Sequence, residues 1–170
     1  MIVVNATVLS NLARVDRIRI LKELFDRIII PMQVYEEILR GIEAGYAFLK
    51  TVDEIVEEEN WMNLEPLKGK KERRLFKGLL ETVGYGEAAA IAIAKERALL
   101  FASDDKVARK TAKGHGVKVS GTLGILQIAI EKGKLLTEEA DEALQGMIQG
   151  GYRSPIRSMK ELGETGNVVR

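Results

Sequence analysis

Residues 99–112 read LLFASDDKVARKTA. An apolar run over Ala98 to Ala102, of strand length, stops at Ser103-Asp104-Asp105. From about Asp104 to Lys113 the apolar positions return at helical spacing, and Ser103 is of the residue type that caps a helix start. A strand feeding directly into a helix is half of a βαβ unit, and the pattern repeats on either side. Downstream, Val117 to Val119 predicts another strand, and helices follow over about 122–132 and 137–149. Upstream, Ile2 to Val4 predicts a first strand, with helix from about Thr7 and an amphipathic stretch over Arg17 to Leu24. Arg27 to Ile30 predicts a second strand stopped by Pro31, with helix over Gln33 to Ile42. Strands alternating with helices imply a parallel sheet covered on both faces, a three-layer α/β/α fold. Between Gly41 and Gly84 no strand is predicted, and Asn60 to Leu67 reads as loop. The expected domain spans 1–150, with 151–170 a loosely packed tail rich in Gly, Ser and basic residues.

Composition narrows the classes. The 170 residues, 46% of them apolar, suit one domain with a single sizeable core. Basic and acidic residues number 26 and 25, so only local patches can argue for a nucleic-acid partner. With no cysteine, disulfides and thiolate chemistry are excluded. The opening MIVVNATVL has no basic leader and is apolar too briefly for a secretory signal. No run approaches the roughly 18 apolar residues of a membrane span, so no membrane association and a cytoplasmic location are expected. Glutamate makes up 19 of the 25 acids, which together with high charge leans towards a thermophile.

In an open parallel sheet, ligands bind beyond the C-terminal ends of the strands. Asn5 ends the first strand there, Glu36 and Glu37 follow the second, and Asp104 and Asp105 follow the third. Glu87 opens the helix of GYGEAAAIAIA at 84–94. Helical phase separates the neighbouring glutamates. Glu37 sits on the stripe of Val34, Ile38 and Ile42, whereas Glu36 aligns with Arg40 on the polar side. Glu87 likewise shares a face with Ala90, Ile91 and Ala94. Each acid alone could simply flank the core or cap a helix, where the dipole favours negative charge. Several acids converging on one sheet edge favour a cation, because buried charge is costly unless paired or metal-bound. Hard oxygen donors suit Mg²⁺ or Mn²⁺.

The order VVNATVLSNL (3–12), IIIPMQVYEEI (28–38), GYGEAAAIAIA (84–94), LLFASDDKVARKTA (99–112) and KVSGTLGIL (118–126) resembles the PIN domain. Within that family it is similar to a prokaryotic branch close to the VapC-type toxin nucleases, over about residues 2 to 130. The resemblance implies a metal-dependent endoribonuclease, the toxin half of a toxin–antitoxin pair. It places catalytic carboxylates at Glu37, Glu87 and Asp105, with Asn5 and Asp104 adding to the metal site. Thr7, Ser103 and Thr122, the last in the pair Gly121-Thr122, would be supporting polar residues. The departure is Asn5, where the family pattern has an acid; asparagine offers an oxygen without charge. The alternative is therefore a catalytically weak PIN-like module that binds RNA or a protein.

Other signals carry less. Gly84-Tyr85-Gly86-Glu87-Ala88-Ala89 imitates a dinucleotide fingerprint, but the stretch before it reads as helix where that mechanism needs a strand. A receiver-type phosphate acceptor would need paired acids after the first strand. His115 sits in a Gly-rich turn, and Trp61 reads as core or interface. Lys68, Lys70, Lys71, Arg73, Arg74 and Lys77 form one basic stretch, which an ordinary solvated helix face explains as well as a binding role. Lys106, Arg109 and Lys110, with Lys113 and Lys118, form a second. Coming directly after Asp105, it would rim the acidic edge and guide an RNA backbone. The expected partners are RNA, an antitoxin protein and a second copy of the chain in a homodimer.

Overall fold

The computed structural model describes residues 1–165. Strands β1 (Ile2–Val4), β2 (Ile28–Pro31), β3 (Met62–Glu65), β4 (Leu100–Ala102) and β5 (Val119–Ser120) form one sheet in the order β3-β2-β1-β4-β5. Every pairing is parallel. Between the strands run α1 (Ala6–Arg14), α2 (Ile20–Leu24), α3 (Met32–Glu43), α4 (Lys50–Glu54), α5 (Gly69–Leu79), α6 (Tyr85–Glu96) and α7 (Lys106–Gly114). After β5 come α8 (Thr122–Glu131), α9 (Thr137–Gln149) and α10 (Lys160–Thr165). Among the described residues no helix is long and apolar enough to cross a membrane.

Strand alternation divides the core in two. Ile2, Val4, Ile28, Ile30 and Ala102 face one layer, filled by apolar residues of α1, α2, α3, α4, α8 and α9. Val3, Ile29 and Phe101 face the other, filled by α5, α6 and α7. This is the three-layer α/β/α arrangement. Ile2–Val4 and Ile28–Ile30 are continuous β-branched runs because both faces of β1 and β2 are buried.

Two expectations are corrected. Residues 60–67 are not loop throughout, since Met62–Glu65 pairs with Ile28–Pro31 as the edge strand β3. Asn60, in the left-handed region at φ 57°, ends the π-helical turn Ile55–Glu59 and turns the chain into it. Met-Asn-Leu-Glu lacks the β-branched run of the inner strands because an edge strand need not bury both faces. Its last residue, Glu65, is buried and neutralised by Arg27, Lys68 and Arg97. Pro31, expected to stop β2, is its last residue; a proline there forfeits only one ladder donor.

Nor does the tail pack loosely as far as it is described. Met159 (2% exposed) and Leu162 (8%) join the first core layer. Asp141 on α9 accepts hydrogen bonds from Ser158 Oγ (3.0 Å) and the Met159 amide, anchoring the segment. Residues 166–170 of the expected tail lie outside the described residues. Met159→Ala is expected to cost about 2–5 kcal/mol, the usual range for a buried methionine. It should lower the urea midpoint without changing the m-value. An unchanged midpoint would mean that the segment does not contribute to the core.

Candidate active site

The parallel sheet brings the C-terminal ends of β1, β2 and β4 together, and the expected side chains emerge there in two groups. The inner group is Glu37, Glu87 and Asn5. The Gly86 amide donates to Glu37 Oε1 (3.1 Å), and the Gly84 amide donates to Glu87 Oε2 (2.9 Å). Asn5, buried at the end of β1, points its Nδ2 at Ser103 Oγ (3.2 Å) and, at the long limit, at Glu87 Oε1 (3.5 Å). A Cβ on Gly86 would stand 2.4 Å from Glu37 Oε1, so only glycine lets the α3 carboxylate come this close to α6. Glu36 is exposed and Glu37 half-buried, as helical phase predicts. Burial holds the Glu37 carboxyl above the ordinary carboxylate range and the charge of Glu87 adds to this, while Gly86 and Arg40 act in the opposite sense.

The outer group surrounds Asp104. Its carboxylate receives the Thr122 amide (2.8 Å), the Thr122 hydroxyl, Asn11 Nδ2 (2.9 Å) and the Tyr152 hydroxyl (3.4 Å). Its own amide donates to Thr7 Oγ1 (3.1 Å). Asp104 therefore holds the first residue of α8 and ties α1 and the C-terminal segment to the end of β4. Burial, with Asp104 next in importance, pushes the Tyr152 phenol upward, so it stays a donor. Asp105 is the N-cap of α7, accepting from the Ala108 amide (2.7 Å). Ser103, expected in that role, stands two residues earlier; its Oγ accepts from the Asp105 amide (3.2 Å) and so links the outer turn to Asn5. Thr7, Ser103 and Thr122 thus all brace the turn Ser103–Asp105.

Lys106, Arg109 and Lys110 line a cleft of about 680 Å³ with Asp104, Tyr152 and Arg153. The cationic rim therefore adjoins the outer group. Asn11 and Tyr152 were not singled out in the sequence. Asn11 could have been, for it lies four residues after Thr7 on the same helix face. Tyr152, far along the chain, carried no signal.

Among the described residues no three His, Cys, Asp or Glu side chains stand close enough to hold a metal. The inner group offers two carboxylates and an amide oxygen instead. Asn5 Oδ1 is buried and accepts no hydrogen bond from any described residue. An orphaned buried acceptor costs about 1–3 kcal/mol. A cation would satisfy it and would offset the desolvation that chiefly raises Glu37 and the lesser repulsion from Glu87, so the donor set fits a hard divalent ion. A family model described as PIN domain matches residues 1–164 of the chain. No curated protein and no solved structure matches it.

Because its folded pKa is raised, Glu37 favours folding fully only below the ordinary carboxylate range, and this is lost as pH rises through the folded value. Glu37→Gln keeps an oxygen for Gly86 and cannot ionise. In chelator its Tm should exceed that of the native chain at about pH 7, and the gain should vanish near pH 4. A Tm at or below the native value at neutral pH would contradict a strained charge at this position.

Proposed function

Because the chain belongs to the PIN domain family, we propose that it is a divalent-metal-dependent endoribonuclease that cuts at the edge formed by Glu37, Glu87 and Asn5. Family membership supports a nuclease-type module. The observation that carries the finer reading is the buried Asn5 Oδ1, unpartnered among the described residues, on the side chain whose Nδ2 points at Glu87, with Glu37 held near by Gly86. In this reading Glu37, Glu87 and Asn5 hold the ion directly, and Asp105 and Asp104 add negative potential from the outer turn. Mg²⁺ or Mn²⁺ bound there supplies Lewis-acid stabilisation of the phosphoryl oxygens and lowers the pKa of water. Gly86 occupies Glu37 Oε1, which leaves Oε2 to ligate or to accept the proton of an attacking water. A carboxyl with a raised pKa suits that second role. Lys106, Arg109 and Lys110 would hold the backbone beyond the scissile phosphate.

The toxin role in a toxin–antitoxin pair, with an antitoxin protein as partner, belongs to this proposal through the resemblance. A cytoplasmic location follows from that role, and the glutamate-rich composition supports a thermophilic source. Homodimerisation is supported by exposed apolar side chains such as Leu39 and Tyr46. A second reading, an RNA- or protein-binding module with little catalysis, is favoured by the lack of a third close carboxylate among the described residues.

Three measurements test these readings. Purified protein should cut single-stranded RNA with Mn²⁺ and not with chelator, and Glu37→Gln should lower the rate by about 10²–10⁴. Metal-independent cutting, or full activity in the variant, would overturn a metal-dependent site at this edge; heat of Mn²⁺ binding without any cutting would favour the second. Asn5→Asp loses the donor towards Glu87 and gains a charge. It should lower Tm in chelator yet bind Mn²⁺ about tenfold tighter, a gain of about 1.4 kcal/mol. If neither quantity moves, position 5 does not face the ion. Light scattering should give twice the 18.9 kDa chain mass, and a monomer at micromolar concentration would contradict the dimer.

A further inference from the structure

Helix α5, GKKERRLFKGL, carries five cations and one acid, Glu72. That acid does nothing for the surface. Glu72 is buried, and its oxygens receive Arg97 Nε (2.7 Å), Arg97 Nη2 (3.1 Å) and the Lys68 amide. Arg73 turns back onto the Gly69 carbonyl. Lys70, Lys71 and Arg74 are left on the outer face, without an ion pair to any described residue. Lys95, in the last turn of α6, likewise has no ion pair to any described residue. These four side chains, with His115 at the end of α7, line a cavity of about 550 Å³ whose apolar wall is Leu75 and Leu79. Among the described residues Glu96 is the one acid in the lining.

The helix α6 separates this cavity from the acidic edge. Glu87 lies in its first turn and Lys95 in its last, about 12 Å apart along the axis at 1.5 Å per residue. The cavity is therefore a separate place, on the layer formed by α5, α6 and α7. It stands at the C-terminal ends of α6 and α7 and along the face of α5 that carries Lys70, Lys71 and Arg74. The side chains offer recognition as separated point charges on two elements, α5 and α6. That suits a chain of phosphates better than a single one, and the leucine wall suits the ribose and base faces of an unpaired strand.

We propose that the Lys70–Lys71–Arg74–Lys95 groove is a second nucleic-acid site that binds the backbone of single-stranded RNA away from the acidic edge. The choice of RNA rests on the function proposed above; the anionic backbone rests on the groove itself. The test is fluorescence anisotropy with a labelled oligouridine, on the full chain in EDTA, over a salt series. Native protein should bind with strong salt dependence. Lys71→Gln with Lys95→Gln should weaken binding about tenfold or more. It should also flatten the plot of log affinity against log salt by about 1.4, which is 0.7 for each of two lost phosphate contacts. Lys132→Gln with Lys134→Gln makes the same charge change elsewhere and should leave binding near native. All these side chains are exposed, and unchanged Tm values confirm folding. The groove is overturned if the Lys71/Lys95 variant binds like native, or if the Lys132/Lys134 variant loses as much. It is overturned as a strand site if inorganic phosphate competes as well, phosphate for phosphate, as the oligonucleotide. Chelator excludes cutting, so loss of the nuclease reading alone would appear as groove-dependent binding without Mn²⁺-dependent cleavage.

Discussion

Parallel hydrogen bonding along β1 governs the rest of the molecule. With β2 on one side and β4 on the other, both running in its own direction, β1 forces Asn5, the start of α3 and the Ser103–Asp105 turn onto a single edge. The same geometry turns helix starts towards that edge, and their unsatisfied amides make it tolerable to carboxylates. Glu37 and Glu87 each accept an amide from the Gly84–Gly86 entry to α6; Asp105 accepts one from α7 and Asp104 one from α8. Among the described residues, four acids then share an edge without an ion pair to any of them. Asn5 is the exception, since its side-chain oxygen accepts nothing from the described residues.

The edge consequently divides by how completely each acid is satisfied. Asp104 receives four donors and behaves as a fastening between elements. Glu37 receives one, is half-buried, and is held above its ordinary pKa mainly by desolvation. Under-satisfied groups in partly dry surroundings are where chemistry is expected, and fully satisfied ones are where architecture is. The division runs through neighbouring residues, and neither residue type nor spacing announces it.

Much of the sheet was legible because burial on both faces leaves a crude signal. Ile2–Val4 and Ile28–Ile30 are β-branched runs that could be little else, and the assignment of Glu37 inward and Glu36 outward needed only the helical period. β3 was not legible, because an edge strand with polar positions carries no such run and owes its place to pairing with β2. The packing of Met159 and Leu162 was hidden for a related reason: isolated apolar residues in a Gly- and Ser-rich stretch acquire meaning only once α9 stands beside them. The role of Asp104 depends on Asn11, Thr122 and Tyr152, partners scattered along the chain that only the finished fold collects.

That β1 is both the first strand and the middle one has a kinetic side. The Asn5–Ser103 contact joins residues 98 apart, and every β1–β4 pair spans a similar distance. Closing so long a loop is entropically expensive, and chains rich in such contacts fold slowly. During synthesis β1 can pair early with β2, but its other edge stays open until some hundred residues have emerged. The nascent chain thus carries an exposed apolar strand edge for most of its elongation, and its acidic edge cannot exist before β4 arrives to close it.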